Sequence, residues 1–159
     1  MKRSNTRIFI FLIFYLFITN CGFTPIYKIG GNGFDLEKLS VEFTKETSYD
    51  TSQIIKKFFG LNDNSDDYVV LVDVSEEFVP VIINTNGTVS KYQINITISF
   101  EVIDEKNNLL FKDIAVGLSQ FDVQTSEIEN EELQKQMLRS ATNDAASLMM
   151  TKIQSKLSF

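Results

Sequence analysis

The chain has no histidine and no tryptophan, a single cysteine and only two prolines. Without histidine, Ser-His-Asp and Cys-His catalysis are excluded, and so are the commonest zinc ligands. No nucleophile motif, Gly-rich phosphate loop or metal-ligand spacing stands in their place. The expectation is a protein that is not an enzyme and carries no cofactor or metal. Without tryptophan, the ten phenylalanines beyond residue 20 must supply much of the core bulk. Cations are also scarce, with 15 Lys and Arg against 21 Asp and Glu. Three of them, Lys2, Arg3 and Arg7, lie among the first 20 residues, where there is no acid. From residue 21 onward 12 cations face 21 acids, a formal charge of −9. That balance is wrong for nucleic acid, which requires a basic face, and it gives no general attraction to anionic lipid.

What the first 20 residues do have is a basic start followed by an unbroken apolar run from Ile8 to Ile18. A membrane-spanning helix needs about 20 apolar residues, so this shorter run reads as the core of a secretory signal rather than an anchor. The lone cysteine, Cys21, follows directly. A single cysteine cannot close an internal disulfide, and a free thiol in an oxidising compartment is a liability. Ile18-Thr19-Asn20-Cys21 resembles the lipobox of bacterial lipoproteins, with a branched aliphatic residue three before the cysteine. Asn20 departs from the small residue usual directly before it. The resemblance implies cleavage before Cys21 and acylation (palmitate among the chains) of its sulfur. One acyl chain alone holds only reversibly at about 0.8 kcal/mol per buried methylene, so two or three chains make the anchor lasting. Gly22 stands where aspartate would signal inner-membrane retention in enteric bacteria, so the resemblance favours the outer membrane, on its periplasmic side.

Residues 1–20 are thus expected to be a signal peptide and 21–36 a lipidated tether, with Gly22, Pro25, Gly30, Gly31 and Gly33 breaking any regular structure. Residues 37–159 remain for one domain. Leu39, Val41 and Phe43 alternate with polar residues as a short strand. Asp50, Thr51 and Ser52 are candidate helix caps. Ile54, Ile55, Phe58 and Phe59 share one helical face, and Gly60 suits the position past its end. Tyr68 to Val74 reads as a buried strand. Pro80 makes the next apolar run, Phe78 to Ile83, an edge or bulged strand. From Lys91 to Val102 strict alternation predicts a strand with Tyr92, Ile94, Ile96, Ile98, Phe100 and Val102 on one face. Asp104 to Asn108 turns the chain, and Leu109 to Val123 returns as a strand. Its alternation slips between Leu109, Phe111 and Ile114, Val116, Leu118, which a bulge near Lys112-Asp113 would reconcile. Ser126 and Glu129 then suggest a capping box. Ile128, Leu133, Met137, Ala141, Ala145, Leu148 and Leu157 form a stripe on a long helix, broken or projecting, widened by Leu138, Met149 and Ile153. The fold class that accommodates this order is α+β, a two-layer sandwich of two helices on a mostly antiparallel four- or five-stranded sheet.

Three features together resemble the LptE family of outer-membrane lipopolysaccharide-assembly lipoproteins. They are the start Cys21-Gly22-Phe23-Thr24-Pro25-Ile26-Tyr27, the alternating strand and hairpin from Thr88 to Phe121, and the helix Glu131 to Leu157. The resemblance implies two helices on a four-stranded sheet. It further implies a partner, the LptD-type outer-membrane β-barrel, with members seated in its lumen as plugs, assisting its assembly and binding lipopolysaccharide. An envelope lipoprotein that scaffolds another membrane complex is the alternative.

Four groups of residues carry the expectations. Cys21 is the site of lipid attachment. Lys91 lies near the family's basic position at the start of the central strand and, with Lys112, is a candidate lipopolysaccharide contact. An ammonium would meet a phosphate there as a point charge. Either lysine can equally be a solvated strand residue. With a two-residue loop at Lys106-Asn107, Lys112 would face Glu101 in a cross-strand ion pair. The polar series Gln93, Asn95, Thr97, Ser99 fits water or a barrel's polar lumen. Glu127, Glu129, Glu131 and Glu132 fit the positive end of a helix dipole.

Overall fold

A computed structural model describes residues 38–59 and 67–157. Six elements follow one another: β1 (Leu39–Phe43), α1 (Tyr49–Phe58), β2 (Tyr68–Ile83), β3 (Val89–Asp104), β4 (Leu109–Asp122) and α2 (Glu127–Leu157). The strands form one mixed sheet in the order β1-β2-β3-β4, with β1 parallel to β2 and the other pairs antiparallel. Both helices lie on one face, the α+β sandwich expected from the sequence, with four strands.

The core is the helix-side face of the sheet. β3 supplies its centre, since Ile94, Ile96, Ile98, Phe100 and Val102 are all buried on one side. Val70 and Val72 of β2, Leu39 of β1, and Ile55 and Phe59 at α1 complete it. Each such β-branched residue withdraws its side chain from water while favouring the pleated backbone, the physical reason these segments become strands.

Pro80 is tolerated for a reason visible in the register. β1 pairs only with Tyr68 to Val72, so the remainder of β2 is itself an edge. Pro80 needs no ladder partner on that side, and the register shifts immediately after it, at Val81. The two apolar runs separated in the sequence reading therefore form one strand.

α1 starts one residue before the expected capping cluster. Ser48 is its N-cap and accepts from the Thr51 backbone N–H. The Thr51 hydroxyl, buried, donates to Glu76 Oε1 at 2.6 Å and so ties the helix to β2. Gly60 lies outside the described residues. α2 runs unbroken for 31 residues, which at 1.5 Å each is about 46 Å. Ser126 accepts from the Glu129 N–H, as the capping motif requires. The buried stripe differs from the expected one. Ala141, Thr142, Ala145, Ala146, Met149, Met150 and Ile153 are buried, whereas Ile128 and Leu148 are exposed. Ile128 precedes the segment that touches the sheet, and Leu148 is turned about 100° around the helix from Met149, outside the buried arc.

Candidate partner-binding surface

Small residues decide how β4 lies. α2 crosses β4 at Gly117, and a Cβ there would collide with the backbone carbonyl of Ala141 and approach the Ala145 nitrogen. Ala115 and Gly117 face the helix and are buried. The expected bulge near Lys112-Asp113 is therefore absent. The shift falls at Leu110 instead, between the pairs Val102–Phe111 and Ile103–Leu109. Consequently Phe111 points inward, edge-on to Phe100 at 6.3 Å. Ile114, Val116 and Leu118, which the sequence reading would send to the core, stand on the opposite face with relative exposures of 52, 45 and 55%.

The face that results has two parts. Its centre, on β3, is the polar series Gln93, Asn95, Thr97, Ser99, opposite Leu118, Val116 and Ile114 in register from Asn95 onward. Side chains are linked across it: Gln120 donates to Gln93 at 2.8 Å, Gln93 to Asn95 at 2.8 Å, and Asn95 to Glu77 at 3.3 Å. Its border, on the edge strand β4, is the apolar row. Among the described residues no element covers this face. At its lower end Leu71, Asp73, Ser99, Glu101, Lys112 and Ile114 surround an open hollow of about 630 Å³.

The sequence-derived candidates fall out as follows. Cys21 lies outside the described residues. Lys91 pairs with Asp122 at 3.2 Å, its neighbour across β3 and β4. Lys112 does face Glu101 in register, although the turn is a three-residue loop, Glu105 to Asn107, with Asn107 in the left-handed region. The extra loop residue is offset by the bulge at Leu110, so the pairing survives. No ion pair joins Lys112 to Glu101 among the described residues. Lys112 is instead exposed at the rim of the hollow. The acids Glu127 and Glu129 occupy the first turn of α2, as a helix dipole favours.

Sequence reasoning missed one cluster. Asp113 faces the helix side, where Lys152 reaches its Oδ1 at 2.9 Å and Lys156 its Oδ2 at 3.0 Å. The Lys152 hydrogen bond, the Ile114 backbone N–H and then Lys156 hold the carboxyl well below the usual carboxylate range. Lys152 also donates to the Ile114 carbonyl at 2.7 Å, and Lys156 sits over the Phe111 ring at 4.8 Å. The cluster fastens the end of α2 to β4 and occupies edge groups that would otherwise be free to pair. The signal was available in principle as Lys152 and Lys156, four apart near a helix end.

The family model for LptE, lipopolysaccharide-assembly, matches residues 36–153. Solved structures of similar fold include the rare lipoprotein B of Shewanella oneidensis, 14% identical with a TM-score of 0.59, covering 74% of this chain and 93% of that one. A minor lipoprotein of Acinetobacter baumannii is 18% identical with a TM-score of 0.59, over 77% of this chain and 93% of that one. A lipoprotein of Caulobacter crescentus is 13% identical with a TM-score of 0.58, over 77 and 89%. Comparison with curated proteins gives no significant match.

Proposed function

The chain belongs to the LptE family of lipopolysaccharide-assembly proteins, and from that premise we propose that it is a lipid-anchored plug and assembly partner of an LptD-type outer-membrane β-barrel. Residues 1–20 are the export signal, Cys21 carries the acyl chains, and residues 21–36 tether the folded domain to the periplasmic side of the outer membrane. The protein performs no chemistry itself.

The observation that carries the reading is the open sheet face. The interior of a transmembrane barrel is polar, and so is the centre of this face. Its apolar border of Ile114, Val116 and Leu118 is held outward by the close α2 crossing at Gly117. Three aliphatic side chains in a row on a solvent face are costly to leave wet, at about 25 cal/mol per Å² of apolar surface, and would gain by burial against a partner.

For lipopolysaccharide, the geometry favours Lys112 over Lys91. Lys91 is already compensated by Asp122, so a phosphate would have to displace a carboxylate. Lys112 stands at the hollow beside Leu71 and Ile114, an ammonium next to apolar side chains and so the complement of a phosphate next to acyl chains. Of the carboxylates there, Asp73 is held by Lys45 and Asp113 by Lys152 and Lys156, which leaves Glu101 opposite it. The formal charge of −9 from residue 21 onward confines such contact to this locality.

The test is co-purification from mild detergent with a tag after Phe159. A large barrel at near one to one supports the plug; an intact, acylated protein that brings down a different complex supports the scaffold alternative and removes the plug. For the lipid, Lys112→Ala should weaken binding of purified lipopolysaccharide more than Lys91→Ala. The reverse order would refute the assignment.

A further inference from the structure

The β2–β3 hairpin ends in an exposed apolar tip outside the core. From Phe78 to Ser90 there is no charged residue. Phe78, Val81, Ile82 and Ile83 are exposed, the last two at 47 and 61%. The turn Thr85 to Gly87 that closes the hairpin is well formed. The Asn84 N–H donates to the Thr88 carbonyl at 2.8 Å, and Gly87 has φ of 82°, so the tip is an ordered ribbon. The register shifts at Val81 and again before Ile83; Phe78 lies opposite Ile94 on the helix side and Ile82 opposite Lys91 on the other, so the tip exposes apolar side chains on both of its faces. Val123, also exposed, is bound to the same end by its N–H to the Ser90 carbonyl at 2.9 Å.

The two ends of the sheet differ in charge. Residues 76–91 and 122–135, which make up this end of the molecule, contain seven acids and two lysines, a net −5. One lysine, Lys91, is paired with Asp122. The opposite end, residues 38–45, 67–73, 101–113 and 150–157, is nearly balanced, with six lysines against seven acids. The tip is therefore an uncharged apolar wedge at the acidic end of the molecule, where the first turns of α2 supply four of the seven acids as an acidic collar at its base.

We propose that this hairpin end docks into an apolar recess of a partner protein whose rim carries Lys and Arg. The collar rules against other occupants. An anionic lipid surface would meet like charge, and a second copy of the chain would bring two acidic collars together. The anchoring bilayer is also disfavoured. The chain enters β1 at Leu39, beside Tyr68, at the far end of β2 from the tip. With 16 residues β2 extends about 50 Å. If Cys21 holds the lipid, the residues between it and Leu39 reach at most about 60 Å, and only when fully extended. A basic protein rim satisfies collar and wedge together, with the apolar contact supplying affinity and the charge fixing orientation. The inference does not rest on the plug reading, because it concerns the tip beyond Lys91 and not the apolar row on β4.

The experiment is photocrosslinking of the full chain in cells, with a photoreactive phenylalanine analogue at Ile82 and, separately, at Leu118. The Leu118 probe reports on the open face and so on the barrel reading. The Ile82 probe should capture a protein through a peptide containing Lys or Arg beside apolar residues. Replacing Glu127, Glu129, Glu131 and Glu132 by Gln should lower its yield by about fivefold, as charge complementarity predicts. Raising salt on membranes of the unaltered chain should act in the same direction and needs no collar variant. Capture of lipid or of a second copy, capture unchanged by both the collar variant and salt, or no capture at Ile82 while the chain is folded would each overturn the proposal. Flotation with phosphatidylcholine vesicles checks the lipid case directly: binding that requires Ile82 and Ile83 would also overturn it.

Discussion

Gly117 is the residue on which the arrangement of β4 turns. Its missing Cβ lets the α2 backbone lie against the strand, and Ala141 and Ala145 keep the helix side equally thin. Gly117→Ala should destabilise by about 2 kcal/mol or more, because the obstructing atoms are backbone and cannot rotate away. A urea melt of the two proteins would show it, and equal midpoints would refute the close-approach argument. Asp113 carries the pH dependence. Its pKa is lowered in the folded state by Lys152, the Ile114 N–H and Lys156. A depressed carboxylate contributes stability that is present above its unfolded value of about 3.9 and is lost as pH falls through the folded value. Asp113→Asn should therefore lower Tm at pH 7, and the gap to the parent should narrow below about pH 4. A gap constant from pH 7 to pH 2 would contradict this. Ser48→Ala removes the cap of α1 and one bond to Glu76, and should cost about 1 kcal/mol by thermal melting.

At the scale of elements, β3 and β4 show two different routes from pattern to face. β3 alternates strictly and is flanked by strands over its whole length, so its apolar residues can only face the helices. β4 alternates as well, yet Ile114, Val116 and Leu118 face away, because between Phe111 and Phe121 the helix crosses too closely for anything larger than Ala115. Val116→Lys should then leave the isolated chain's stability within about 0.5 kcal/mol, as at other exposed sites. Ile96→Ala, its neighbour one strand away on the buried face, should cost about 2–5 kcal/mol. The same Val116→Lys change should abolish barrel co-purification if the open face is the plug's contact. An undiminished yield would move that contact elsewhere. Comparison of the two melts and the two pull-downs separates folding from binding.

At the scale of the molecule, among the described residues one side of the sheet is filled by helices and the other is left as a surface, and acids are gathered at the hairpin end. Much of this was legible beforehand. The strands at Leu39–Phe43 and Lys91–Val102, the helix faces with Ile55 and Phe59, and the α+β order follow from period and chain punctuation, which are local properties. The lipobox resemblance at Cys21 and the expectations drawn from absent histidine and scarce cations rest on residue chemistry alone, and the fold does not bear on them. What period could not determine was which face of β4 turns inward. That depended on the distance between a helix axis and a strand more than twenty residues away in sequence. The pairing of Lys91 with Asp122, the release of Lys112 to the rim of the hollow, and the Asp113 cluster are likewise contacts between separate elements. They exist only once strand register and helix position are fixed together by packing of the core.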